Sequence, residues 1–102
     1  MKPLRVEPEA EDELSGAVAW YDEQRPGLGA EFFAAVMKTV EDVQSTPAAY
    51  PLVQRAPADL PARRAPVRRF PYMVVYFDLP EAVHVVAFAH DRQRPFYWRG
   101  RI

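Results

Sequence analysis

The stretch Tyr72-Met73-Val74-Val75-Tyr76-Phe77-Asp78-Leu79-Pro80-Glu81-Ala82-Val83-His84-Val85-Val86-Ala87-Phe88 decides the architecture. Its two ends, 72–77 and 83–88, are rich in β-branched and aromatic residues, which suit a pleated, buried surface. Asp78-Leu79-Pro80-Glu81 between them has the chemistry of a turn. Two such runs around a turn predict an antiparallel hairpin of largely buried strands. Just upstream, residues 47–66 contain five prolines: Pro47, Pro51, Pro57, Pro61 and Pro66. Proline cannot donate to a strand ladder, so this region predicts a loop that becomes an edge-like strand near Arg64–Phe70. Further upstream the period changes to that of a helix. Phe32, Val36, Val40 and Val43 share one face of a helix from about Ala30 to Gln44, and Pro47 ends it. Leu14, Ala17, Val18 and Tyr21 mark the buried stripe of an earlier helix that starts at Pro8, and Pro26-Gly27-Leu28-Gly29 separates the two. Leu4-Arg5-Val6 can add a short first strand. The order β-α-α-β-β-β describes an α+β fold, an N-terminal helical hairpin packed on a mostly antiparallel sheet, as one domain spanning residues 1–102.

Composition narrows the class. A chain of 102 residues supports one core, and 49% apolar residues is ordinary for a globular protein. The absence of cysteine excludes a disulfide framework and a thiolate metal site, and fits a reducing compartment. The N-terminal Met1-Lys2-Pro3-Leu4-Arg5 leads into acidic residues without the apolar core of a signal peptide. No run approaches the roughly 18 apolar residues of a membrane span. These features predict a soluble, unexported, cytoplasmic protein. The net charge of −1 conceals an asymmetry. Residues 1–50 hold ten acids and four bases, whereas residues 51–102 hold four acids and nine bases, every one of them arginine. Such a field attracts an anionic partner to the basic half, or draws the two halves together.

The segment that could carry chemistry is the tail, Ala87-Phe88-Ala89-His90-Asp91-Arg92-Gln93-Arg94-Pro95-Phe96-Tyr97-Trp98-Arg99. Arginine forks match phosphate oxygens, aromatic faces take bases, and a histidine such as His90 could move a proton. The same residues also have a structural reading: Phe96 and Trp98 cap the sheet, Tyr97 supports a neighbour, and the arginines face water.

His90-x-Arg92-x-Arg94-Pro95-x-Tyr97-Trp98 resembles the C-terminal signature of the RelE/ParE toxin superfamily of type II toxin–antitoxin systems. Three other segments resemble the family in the same order along the chain. Ala10-Glu11-Asp12-Glu13-Leu14 with Ala19-Trp20-Tyr21 is similar to its first helix. Pro26-Gly27-Leu28-Gly29 with Phe32 is similar to its interhelical turn, and Arg68-Arg69-Phe70-Pro71-Tyr72 with Val75-Tyr76 to its central strands. The resemblance implies a growth-arresting toxin held in check by a cognate antitoxin protein. Its target is then DNA gyrase, if ParE-like, or mRNA cut in the decoding site of the ribosome, if RelE-like. A non-toxic binding module is a further alternative.

Under the nuclease reading, His90, Tyr97 and Arg92 are the candidates for catalysis. Under either reading, Arg68, Arg69, Arg92, Arg94 and Arg99 are candidates for binding the target or another anion. The strand half has no lysine, the net charge is slightly negative, and arginine cannot act as a base near pH 7. These features favour the ParE-like alternative. Trp20, adjacent to the stripe residue Tyr21, is the candidate antitoxin contact. The carboxylates Glu9, Glu11, Asp12 and Glu13 are read as partners of the helix dipole, and His84 as a surface or satisfied histidine. No metal or other cofactor is expected, because no cluster has ligand spacing.

Overall fold

A computed structural model describes residues 1–102. It contains strand β1 (Leu4–Val6), helix α1 (Pro8–Gln24), helix α2 (Leu28–Ser45), a short 3-10 turn at Pro47–Ala49, and strands β2 (Arg63–Pro66), β3 (Tyr72–Asp78) and β4 (Val83–His90). A C-terminal 3-10 turn spans Tyr97–Arg101. The four strands form one sheet in the order β1-β4-β3-β2. β1 runs parallel to β4, and the other neighbours are antiparallel. This is the β-α-α-β-β-β order expected from periodicity.

The helical hairpin closes tightly because of two glycines. Gly27 adopts φ +92°, a left-handed conformation open to glycine without penalty. Its N–H and that of Gly29 are both held by the Asp22 carboxylate, at 2.9 and 3.3 Å. A Cβ at Gly29 would sit 2.5 Å from the carbonyl oxygen of Val18, so the close approach of the helices requires glycine there. This compact turn lets α2 begin at Leu28, two residues before the expected start. Phe32, Val36, Val40 and Val43 are buried on its inner face, as the period requires. They meet Ala10 and Ala17 of α1 and Val74, Tyr76, Val83, Val85 and Phe88 of the sheet.

The sheet is buried on its other face as well. There Val75, Phe77, Val86, Ala87 and Ala89 pack with Ala62 and Trp98, with Val53, Leu60 and Phe96 at the margin. Cover on both faces explains why the strands read as continuous apolar runs rather than alternating ones. A bulge in the hairpin pairs Val75 with Ala87 but Tyr76 with Val85, leaving Val86 as the additional residue. Val85 therefore faces the helices while Val86 and Ala87 both face the opposite layer.

Two boundaries differ from the sequence reading. β2 ends at Pro66, and Arg68-Arg69-Phe70-Pro71 forms a turn in which Arg69 has φ +75°. The Val67 N–H still donates to the Tyr72 carbonyl at 2.9 Å, but the chain must then reverse within a few residues to start β3. β4 extends to His90, because Tyr72 and Met73 supply partners for His90 and Ala89.

Candidate functional site

After β4 the tail folds back across the sheet face opposite the helices. His90 closes its first turn: the backbone N–H of Arg92 donates to His90 Nδ1 at 3.0 Å, and that of Gln93 to the His90 carbonyl at 2.9 Å. The amide of Asp91 donates to the Pro71 carbonyl at 2.8 Å. Phe96 then takes a left-handed conformation and redirects the chain so that Trp98 enters the core beside Phe77 and Phe96. Residues 93–98 thus form one wall of a cleft of about 550 Å³. Val53, Gln54 and Arg55 supply another wall, with Arg64, Met73 and Val75 from β2 and β3.

Three arginines, Arg55, Arg64 and Arg94, line this cleft together with His90 and Asp91. None of the three makes an ion pair within the chain. Their guanidinium groups remain available to phosphate or carboxylate oxygens. Of the residues singled out from sequence, the cleft brings together His90, Arg94 and Tyr97. Arg92 and Arg99 are exposed on the tail outside it. Arg68 and Arg69 lie elsewhere, in a groove beside α2 with Glu31, Lys38 and Asp42. Arg69 is already engaged, 3.1 Å from Glu31 and stacked over the Phe70 ring at 5.2 Å. Arg55 and Arg64 were not identified from sequence. Arg64 pairs directly with Val75 and so shares its face of the sheet, but that register is not readable from a proline-rich segment.

Tyr97 has a defined partner. Its hydroxyl donates to Glu13 Oε2 at 2.5 Å, and Arg101 closes on the same carboxylate with Nη1 at 2.8 Å and Nη2 at 3.1 Å. Burial, reinforced by the hydrogen bond to Glu13 and its charge, pushes the Tyr97 hydroxyl well above the usual tyrosine range. It stays protonated at neutral pH and is no base there. Glu13 corrects one sequence reading. Helix-dipole placement suits Glu9 and Glu11 in the first turn, but Glu13 faces β4 and the tail. Arg101 was overlooked, because it lies beyond the motif. His90 accepts at Nδ1, so a neutral ring in this geometry carries its proton on Nε2.

No family model matches the chain, and no curated protein matches it. A solved structure does. The chain superposes with a TM-score of 0.75 on a chain described as the chromosomal ParDE TA system from P. aeruginosa, covering 88% of this chain and 96% of that one. The chain has a ParE-like fold. Sequence identity to that chain is 13%, so the likeness is one of architecture.

Within this ParE-like fold Trp20 projects from α1 and is 57% exposed, touching Tyr21 edge-on at 5.1 Å. Tyr21 turns inward to a cluster with Phe32, Phe70 and Tyr72. His84 pairs with Glu7 at 2.7 Å across the β1 side of the sheet. No three His, Asp or Glu side chains stand together as a metal-binding group. No helix is long and apolar enough to cross a membrane.

Proposed function

We propose that this chain is the toxin of a type II toxin–antitoxin module, arresting bacterial growth unless bound by its antitoxin, and that it inhibits DNA gyrase in the ParE-like manner. The fold shared with a ParDE chain and the tail His90-x-Arg92-x-Arg94-Pro95-x-Tyr97-Trp98 support the toxin role. The observation that supports gyrase inhibition over RNA cleavage is the engagement of the tail's proton-transfer groups. A ribonuclease needs a group to take the proton of the attacking 2′-hydroxyl. Here the Tyr97 hydroxyl and the Glu13 carboxylate are committed to each other and to Arg101, and His90 Nδ1 is occupied by the Arg92 amide. Of the side chains singled out in the tail, Arg92 and Arg94 keep their donors free, and these are suited to binding rather than to proton transfer. Both proposed targets lie in the bacterial cytoplasm, where the toxin would act.

A second reading, a RelE-like ribosome-dependent mRNA endonuclease, is favoured by the placement of His90 beside Arg55, Arg64 and Arg94 in one cleft. Two assays on the purified chain decide between them. Inhibition of gyrase supercoiling without cleavage of ribosome-bound mRNA in primer extension is the expected result. Site-specific mRNA cleavage with unaffected supercoiling would replace it with the nuclease reading. Induction that leaves growth unimpaired, with soluble protein verified, would remove the toxin role and leave a binding module.

A further inference from the structure

Glu13 and Arg101 lie outside the arginine-lined cleft, yet their contacts converge on the segment that builds its wall. We infer that this pair is a latch that positions the C-terminal segment, so that a carboxylate of the first helix governs how the tail arginines meet their target. The inference about the target rests on the toxin reading above; the inference about tail order does not.

The latch forms where strand pairing ends. β1 pairs with β4 only through Leu4–Val83, Arg5–His84 and Val6–Val85, and the Glu7 N–H extends this by one bond to the Val85 carbonyl, at 2.9 Å. Beyond that point the β1-side edge of β4 has backbone groups but no strand to meet them. Buried backbone donors and acceptors need partners, and an uncovered edge invites pairing with another chain. Side chains take over here. Arg101 Nη1 donates to the Val86 carbonyl at 3.0 Å, and the Phe88 N–H donates to Glu13 Oε1 at 3.2 Å. The two side chains then bind each other, and Tyr97 adds its hydroxyl to the same carboxylate. The Arg101 guanidinium also stacks over the Tyr97 ring at 5.0 Å. With their side chains only 15% and 20% exposed, Arg101 and Glu13 are substantially shielded from water. Every acceptor position of the carboxylate is used, the arrangement in which a shielded ion pair holds geometry.

The consequence falls on residues 91–96. This segment has no regular structure and carries Arg92 and Arg94. One end is set by His90 at the end of β4, the other by Tyr97 at the latch and Trp98 in the core. Trp98 alone fixes a single point. The latch adds a second and prevents the tail from pivoting about the indole, which would move Arg94 relative to Arg55 and Arg64.

Native-state hydrogen exchange on the purified full chain tests the latch, with gyrase supercoiling measured on the same samples. Arg101→Ala is expected to speed exchange of the amides of residues 93–100 by about tenfold or more, with β3 and the amides of β4 other than Phe88 unchanged. Inhibition of gyrase is expected to weaken by a similar factor. Arg101→Lys, which restores a charge and one bond but not the fork, should recover part of both. Glu13→Gln keeps side-chain size and supplies the same comparison should Arg101→Ala not fold. Unchanged tail exchange overturns the latch. Acceleration spread equally through β3 and β4 overturns a positioning role in favour of general stability. A loosened tail with undiminished gyrase inhibition overturns the link to the target. If the unmodified chain leaves gyrase untouched, the gyrase reading fails by itself, and tail exchange still decides whether the latch exists.

Discussion

Tyr97 belongs to a family-like motif, yet its hydroxyl is turned inward to Glu13. Replacing Tyr97 with phenylalanine removes one charge-assisted hydrogen bond from a partly exposed site, a loss of roughly 1–2 kcal/mol. Thermal unfolding should show that decrease, while under the proposed toxin role toxicity at matched soluble protein falls by less than in Arg101→Ala, because the Glu13–Arg101 pair remains. A loss of 10² to 10⁴ in activity, the order expected for a proton-transfer group, would restore a chemical role to the hydroxyl. The arginines behave differently. Arg92→Ala combined with Arg94→Ala should leave circular dichroism and stability nearly unchanged, since neither side chain has an ion-pair partner, and should reduce growth arrest. Full toxicity in that variant would place the active surface on the helical hairpin. Trp20, 57% exposed, is expected to tolerate alanine within about 0.5 kcal/mol of folding stability. Calorimetric titration with the antitoxin should nevertheless register weaker binding, and an unfolded Trp20→Ala variant would return the residue to the core.

At the scale of elements, the hairpin of α1 and α2 depends on backbone contact rather than on side-chain volume alone. Gly29→Ala places a methyl group 2.5 Å from a backbone oxygen of α1, which cannot rotate away as a flexible side chain would. The helices must separate, at about 1–3 kcal/mol. Denaturant unfolding should show a lowered midpoint with little change in slope. A variant as stable as the parent would mean that the helices slide freely over one another. The bulge at Val86 shifts the register of β3 and β4 by one residue, and both faces of these strands are apolar because each is covered. Composition identifies such strands readily. It does not reveal the bulge, and without the bulge the face to which His90 and the preceding residues belong cannot be assigned. The register of the proline-rich segment before β3 is equally hidden, so Arg64 could not be grouped with Arg94 before the sheet was assembled.

Across the whole molecule five ion pairs join the acidic and basic halves: Lys2–Asp78, Arg5–Glu81, Glu7–His84, Glu13–Arg101 and Glu31–Arg69. Arg55, Arg63, Arg64, Arg68, Arg92, Arg94 and Arg99 stay outside every intramolecular ion pair. The charge asymmetry is therefore only partly neutralised internally, leaving a basic surface for a partner. The pH dependence of stability follows from the same structure. Burial pushes the Tyr76 hydroxyl, which donates to the Pro47 carbonyl at 2.6 Å, up to about 12, and Tyr97 is raised as well. A hydroxyl that holds its proton more tightly when folded stabilises the fold fully below the unfolded value near 10. That contribution is lost as pH rises through the folded value. The thermal midpoint should accordingly fall between about pH 10 and 12, and Tyr76→Phe should flatten part of that fall. An identical alkaline profile in the variant would exclude Tyr76 as a source. On the acid side, hydrogen bonding to Arg69, with the charge of Arg25, holds Glu31 below the usual carboxylate range. Its contribution is present above the unfolded value and lost as pH falls, but the group is solvated, so this effect is secondary to the tyrosines.

The sequence by itself determined the order of elements, the helical hairpin, the paired apolar strands, the segregation of charge and the tail motif. Each is a repeated or local property. Burial of one face recurs along Leu14, Ala17, Val18 and Tyr21, or along Phe32, Val36, Val40 and Val43, and repetition leaves a period that can be read. The tertiary structure alone decided what the tail residues do. Glu13 meets Tyr97 across 84 positions and Arg101 across 88, and Arg55, Arg64 and Arg94 converge from a loop, an edge strand and the tail. A polar contact of this kind is made once, between two particular atoms, and leaves no period in the chain. The same carboxylate is a helix-dipole partner when judged from its neighbours in sequence. It becomes the anchor of the C-terminal segment only when the free edge of β4 is brought beside it.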